Sequence, residues 1–220
     1  MLWTDAQLFK SIPAPGRKDF FAAFSRCVKR HQAKAGTTIL RAGEVPQHLI
    51  LVESGVLRSV HYTGTGEELS AFYYPPGSSV FHIACVTRKP VQSYCMAVQD
   101  TQFVTVPQGR YMEFLDSFPA FERALLLYIC ETSEHLIEHA VTVQMKRPRQ
   151  RICRYLLENT SQTGLDCQLP FSTELVATYL NLARPTLSKE LHKMENDGLI
   201  EIHRGMVRVL NLEKLYQELN

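Results

Sequence analysis

The sequence predicts an α+β chain built from a small antiparallel β-barrel or roll, one long helix, and a C-terminal unit of two short helices closed by a β-hairpin. Three observations predict it. Gly36, Gly43, Gly55, Gly66 and Gly77 recur at intervals of 7, 12, 11 and 11 residues and separate short β-prone runs. From Phe118 to Met145 the apolar spacing changes to that of a helix. Beyond residue 147, two helical segments are separated by a turn of three or four residues and followed by two alternating strands.

The strand runs are Thr37–Leu40, His48–Val52, Val56–Tyr62, Leu69–Tyr74, Val91–Val98 and Thr101–Val106, with Pro107 ending the sheet. Turn signals every 8–12 residues between such runs point to a sandwich or barrel. Gly64-Thr65-Gly66 supplies the φ-permissive residues of a hairpin turn.

In the long helix, Leu125, Ile129, Thr132, Leu136, His139 and Val143 are spaced 4, 3, 4, 3 and 4, a heptad seam. About seven turns without glycine or internal proline favour a helix that pairs with a second copy, giving a homodimer. Thr132 and His139 place polar groups on that seam, where they can set register at some cost in stability.

The C-terminal unit starts with a helix near Arg149–Asn159, closed by Ser161 to Gly164. A second helix follows, with Ser172 as N-cap, and a third begins at Arg184-Pro185, proline being suited to a first helical turn. Strands Leu199–His203 and Met206–Leu210 flank Arg204-Gly205. This is the order of a winged helix-turn-helix. In the last helix Leu187, Leu191 and Met194 share one face and must point inward. Pro185, Ser188, Lys189 and His192 then point outward, with Arg184 and Thr186 at the helix start. A helix that reads base edges needs that arrangement. An ordinary helical hairpin is the alternative.

Charge and composition narrow the function. The 220 residues carry a net charge of +2, all of it in residues 146–220, which hold 11 basic and 9 acidic residues. Lys146, Arg147, Arg149, Arg151 and Arg154 cluster at the junction, as a nucleic-acid contact or as a solvated helix face. No stretch approaches the roughly 18 apolar residues of a membrane helix, and no secretory signal opens the chain, so a cytoplasmic protein is expected. Cys27, Cys85, Cys95, Cys130, Cys153 and Cys167 are never closer than ten positions, which argues against a local metal or redox motif. No catalytic order of residues or phosphate loop emerges, so no enzyme and no cofactor are expected.

Three motifs carry a resemblance. Ala33-Lys34-Ala35-Gly36-Thr37-Thr38-Ile39-Leu40-Arg41-Ala42-Gly43-Glu44, His48-Leu49-Ile50-Leu51-Val52-Glu53-Ser54-Gly55-Val56-Leu57 and Ala183-Arg184-Pro185-Thr186-Leu187-Ser188-Lys189-Glu190-Leu191 resemble, in order, the opening, the strand–Gly–strand signature and the recognition helix of the CRP/FNR family of bacterial transcription regulators. The resemblance covers roughly residues 30–210. It implies a double-stranded β-helix of the cyclic-nucleotide-binding type over 1–116, a dimerisation and coupling helix over 117–146, and a winged helix-turn-helix over 147–220. The implied partners are a palindromic DNA operator, a second copy of the chain, RNA polymerase and a small-molecule effector. Arg184, Pro185, Thr186, Ser188, Lys189, His192 and Arg204 are the implied DNA-facing residues.

The departures from the family pattern bear on the effector. The Gly-Glu pair that holds ribose in cyclic-nucleotide members falls here on Phe81-His82, and the Arg-Ser/Thr pair that holds the phosphate falls on Gln92-Ser93. The purine-contacting Thr-Ser pair falls on Leu136-Ile137. Loss of the arginine removes the charge-assisted clamp that a buried phosphate requires. A non-nucleotide effector is therefore expected, in a pocket drawn from Phe72, Tyr74, Phe81, His82, Cys85, Gln92, Ser93 and Leu136, or these residues simply fill the barrel. Alternatives are a thiol switch at Cys85 and Cys95, a haem sensor with His82 as axial ligand, and an adaptor whose winged helix binds protein. Pro185 stands where members reading a TGA half-site carry Glu, and proline cannot accept a hydrogen bond from a cytosine amine.

Overall fold

The computed structural model describes residues 2–66, 68–160, 166–168, 173–203 and 206–219, with backbone alone at 69–71, 166–168 and 175. The chain divides into two compact units, Met1–Ser133 and Glu134–Asn220.

The first unit opens with 3-10 turns at Trp3–Asp5 and Gln7–Phe9, then α1 (Ala14–Phe24) and a further turn at Ser25–Cys27. Eight strands follow: β1 (Lys29–Ala33), β2 (Thr38–Leu40), β3 (His48–Ser54), β4 (Leu57–Tyr62), β5 (Glu68–Tyr74), β6 (Ser79–Val80), β7 (Tyr94–Ala97) and β8 (Thr101–Pro107). Helix α2 (His82–Thr87) lies between β6 and β7, and α3 (Gln108–Ser117) leads into α4 (Pro119–Gln144), which runs on into the second unit. The strands form two four-stranded antiparallel sheets, β1-β8-β3-β6 and β2-β7-β4-β5. This is the jelly-roll-like β-roll that the glycine spacing anticipates.

Strand β3 is buried along most of its length because both its faces are covered. Ile50 and Val52 join Leu57, Val80, Cys95, Ala97 and Phe103 inside the roll. Leu49 and Leu51 point the other way, into a core shared with Trp3, Phe9, Phe20, Phe24, Tyr111, Phe114 and Phe121. Period-2 alternation sends successive residues to opposite faces, and helices covering the second face make both sets apolar. The aromatic core is dense, with Phe20 and Phe121 centroids 4.8 Å apart and Phe24 and Phe114 5.0 Å apart. Gly55 has φ +79°, and a Cβ there would meet the Asp100 carbonyl oxygen at 2.5 Å, so the turn between β3 and β4 requires glycine.

The second unit continues with α5 (Pro148–Asn159), β9 (Asp166–Gln168), α6 (Thr173–Tyr179), α7 (Arg184–Asn196), β10 (Ile200–His203), β11 (Met206–Val209) and α8 (Leu212–Gln217). Its core gathers Ile152, Cys153, Leu156, Val176, Leu180, Leu187, Leu191, Met194, Ile200, Val207, Val209 and Leu215. The expected hairpin pairs Ile200 with Val209 and His203 with Met206, and β9 adds a third strand beside β11. Ser172, Ser161 to Gly164, and Arg204-Gly205 lie outside the described residues.

Several elements escape the sequence reading. Helix α2 is six residues long, too short to display a period. Helix α3 starts immediately after Pro107 and contains Gly109, both of which read as breakers, yet it buries Tyr111, Phe114 and Leu115 at helical spacing. The strand expected from Val91 starts only at Tyr94: the Val91 backbone is engaged with Gly43 and Glu44 across a loop instead.

Candidate functional site

Helix α7 follows the turn that ends α6. The Asn181 N–H donates to the Thr178 carbonyl and the Leu182 N–H to the Ala177 carbonyl. Asn181 itself takes φ +51°, a left-handed conformation that asparagine tolerates better than most residues. Ala183 is the N-cap and offers no side-chain oxygen, while Pro185 occupies the first turn without an N–H to leave unsatisfied. The far end closes on Gly198 (φ +67°), with Leu199 N–H donating to Met194 and Gly198 N–H to Glu195, the Schellman pattern.

Between those ends the helix has two chemically distinct faces. Leu187 and Met194 are fully buried and Leu191 nearly so. Arg184, Pro185, Lys189 and His192 are exposed, and Thr186 and Ser188 are half-buried. The six sequence-predicted residues of α7 therefore share one outward surface. Not every cation there is available: Lys193 pairs with Glu190 at 2.7 Å, and His192 lies 3.6 Å from Glu195. Glu195 also accepts the Ile202 N–H, tying α7 to β10. Strand β11 exposes Arg208 between buried Val207 and Val209, a basic position that the alternation of that strand could have revealed. Arg204 lies outside the described residues.

The junction cluster proves divided. Arg149 bridges Asp197 at 2.7 Å and Glu218 at 2.9 Å, and Arg154 pairs with Glu158 at 2.8 Å along α5. Arg151 donates to three backbone carbonyls, those of Met145 (2.8 Å), Leu180 (3.2 Å) and Asn181 (2.9 Å). Two of the five cations, Arg149 and Arg151, thus clasp the unit together, Arg154 pairs within its own helix, and Lys146 and Arg147 remain exposed at the surface.

The residues drawn together as an effector pocket do not form one set. Tyr74 packs on the roll interior and accepts or donates a hydrogen bond with buried Ser59 at 3.2 Å. Cys85 belongs to the helix-facing core, and Phe81 touches both cores. Phe81 holds φ +68°, the left-handed region glycine favours, at a cost of order 1–3 kcal/mol. His82 is buried with its ring edge-on to Tyr128 at 5.1 Å. Burial pushes its pKa below the usual histidine value, with the Ser79 backbone opposing in part. Phe72 is half-buried on β5. Gln92 is exposed and bonds the Pro90 carbonyl, Ser93 is half-buried, and Leu136 is 41% exposed in the second unit.

Burial pushes the Cys85, Cys95 and Cys153 thiols up to about 12, the opposite of a reactive thiol's environment. Cys130 is exposed. Among the described residues no three His, Cys, Asp or Glu side chains gather as a metal site, and no helix is long and apolar enough to cross a membrane.

The helical seam also requires correction. Leu125 is buried in the aromatic core and Ile129 packs against it, so these positions are used within the chain. Thr132 turns its hydroxyl back to the Tyr128 carbonyl, and His139 packs on Tyr179 at 4.2 Å. The outward stripe lies one residue on. Leu126 (61% exposed), Cys130, Ser133, Ile137 (66% exposed), Ala140 and Gln144 follow the same 4, 3, 4, 3, 4 spacing, with Val141 beside them. Both phases fit the heptad, and only burial separates them.

Comparison with known proteins places these features in context. Residues 150–218 match the Crp-like helix-turn-helix domain, and residues 30–118 match the cyclic nucleotide-binding domain. The chain is 24% identical over 197 residues to the transcriptional activator protein FnrA of Stutzerimonas stutzeri, covering 86% of this chain and 80% of that one. Among solved structures, FixK2 from Bradyrhizobium japonicum superposes with a TM-score of 0.72 at 18% identity, covering 86% of this chain and 96% of that one. A CooA mutant from Carboxydothermus hydrogenoformans gives 0.74 at 17% identity and covers 89% of each chain.

Proposed function

This chain belongs to the CRP/FNR family of transcription regulators, and on that premise we propose that it binds a palindromic DNA operator as a homodimer under the control of a non-nucleotide effector. The observation that carries the proposal is the two-faced helix α7. Its core face is sealed by Leu187, Leu191 and Met194, while Arg184, Pro185, Thr186, Ser188, Lys189 and His192 stand on the free face. Arg184 and Lys189 suit guanine edges or phosphate, and Ser188 suits either. Arg208 on β11, and Arg204, which follows β10 in sequence, would add backbone contacts from the wing.

Homodimerisation is assigned to the outward stripe of α4 that includes Leu126, Ile137 and Val141. A two-fold pair would set the α7 helices about 34–36 Å apart, one DNA turn. The effector would act by repositioning the C-terminal helix-turn-helix region about residues 146–149. RNA polymerase is the expected protein partner of the bound dimer.

The effector reading rests on what the roll offers. Phe81 fills the place of the small residue that allows ribose its close approach, and Gln92-Ser93 lacks the arginine of a phosphate clamp. Tyr74, Phe81, His82 and Tyr128 instead offer aromatic surface with a few polar atoms, which suits a small organic molecule. A thiol switch at Cys85 or Cys95 is disfavoured by their burial.

Selection of bound sequences from randomised duplex DNA with reduced protein tests the reading. Enrichment of a palindrome with half-sites one turn apart is expected. Absence of enrichment, with and without small aromatic ligands, would overturn it and favour the adaptor alternative.

A further inference from the structure

Arg151 on α5 holds three carbonyls from two other stretches of chain at once. Its Nε donates to the carbonyl of Met145, the residue just after α4 ends. Its Nη1 donates to the carbonyls of Leu180 and Asn181, in the turn between α6 and α7. Helix ends leave carbonyls without intrahelical partners, and here one guanidinium serves such groups from two helices. The Asn181 carbonyl belongs to a residue in the left-handed region, two positions before the N-cap of α7. A shift of the α4 terminus relative to α5 must therefore stretch the Met145 bond or pull on the turn that aims α7.

We propose that Arg151 is a positioning residue that couples the α4–α5 junction to the aim of the reading helix. The inference rests on the DNA-binding reading above and goes beyond it, because Arg151 touches no DNA-facing residue of α7. Its planar fork matters more than its charge: a fixed array of N–H donors serves carbonyls on two sides, whereas an ammonium on a flexible stem concentrates its donors at one point. Arg154 differs in its partner. It is also a half-buried arginine on α5, but its Nε pairs with Glu158 of its own helix at 2.8 Å.

The test uses full-length wild type, Arg151→Lys, Arg151→Gln and Arg154→Lys with a selected operator and derivatives whose half-sites are moved by one base pair in either direction. Thermal unfolding verifies that each variant is folded. The expected result is that wild type and Arg154→Lys favour one spacing by about tenfold, while Arg151→Lys falls within about threefold across spacings and still binds DNA. Arg151→Gln, which keeps polarity without the fork, should behave like Arg151→Lys. Unchanged spacing preference in both Arg151 variants would overturn the proposal, including the case in which binding is weakened by the same factor at every spacing so that the tenfold preference survives. A wild type that binds none of the duplexes would instead overturn the DNA-binding reading on which the proposal stands.

Discussion

The His139 ring lies 4.2 Å from the Tyr179 ring, centroid to centroid and tilted by 34°, so α4 packs on the first helix of the helix-turn-helix. Tyr179 also meets Tyr155 of α5 at 5.6 Å. Replacing Tyr179 by alanine should remove both ring contacts and lower the stability of the second unit by about 1–3 kcal/mol, as area loss and ring contacts combine. Denaturant unfolding of the full chain measures it, and a loss under 0.5 kcal/mol, the scatter typical of surface substitutions, would contradict this packing role.

Acid should weaken the protein through three histidines, buried His82, half-buried His139 and the more exposed His48. Burial is the largest cause lowering the pKa of His82, His139 and His48 below the ordinary 6.5. The unfolded chain then binds protons that the folded chain refuses, so stability is complete above about pH 6.5 and declines as pH falls toward the folded values. Thermal midpoints measured from neutral pH downward should fall, and His82→Gln and His139→Gln should each flatten that decline. A midpoint that holds or rises through this range would show that these rings are not held neutral.

The two faces of α7 should separate stability from binding. Leu187→Ala removes a fully buried side chain and should cost about 2–5 kcal/mol of stability. Lys189→Ala changes an exposed position and should shift stability by no more than about 0.5 kcal/mol. Equal destabilisation by both would mean that Lys189 is part of the core.

Much of this architecture is legible in the sequence. Glycines at regular intervals, a long helical period and the Arg184-Pro185 helix start mark the three parts, because each reflects a local rule of backbone geometry. The phase of α4 is not legible: the stripes beginning at Leu125 and Leu126 both satisfy the heptad, and only the aromatic core of Trp3, Phe9, Phe20 and Phe121 decides which is inward. The clasping roles of Arg149 and Arg151 are hidden for a similar reason. Their partners lie 48 and 30 residues away, at Asp197 and Asn181. The candidate pocket divides because alternation along the chain says which residues oppose each other but not which of two cores each face meets.

That phase has a direct consequence. Ile137→Glu should convert a dimer to a monomer with little change in folding, since Ile137 is 66% exposed. Ile129→Glu should instead destabilise the first unit, because Ile129 packs against its core. Sedimentation velocity with parallel thermal unfolding distinguishes them, and a stable dimer carrying Ile137→Glu would place the interface elsewhere.

Thiol reactivity should follow burial. With Cys85, Cys95 and Cys153 pushed up to about 12, almost none is thiolate at neutral pH. Half-buried Cys27 should be alkylated before these three in the native protein, and Cys130, exposed in the single chain but on the proposed dimer stripe, should label fast only where Ile137→Glu opens that interface. Mass spectrometry after timed iodoacetamide labelling reads the order, and early labelling of Cys85 or Cys95 would revive a thiol switch.

The most direct test of the central claim is the salt dependence of binding to a selected operator for wild type, Arg184→Ala and Lys189→Ala. Phosphate contacts release counterions, so the logarithm of the affinity should fall linearly with the logarithm of salt concentration. Loss of a phosphate contact should reduce that slope by about 1, and loss of a base contact should cost about 1–3 kcal/mol and relax the preference at one base pair. Either outcome for each residue fits a reading helix. Salt-independent binding, or affinity and selectivity unchanged in both variants, would show that α7 does not read DNA.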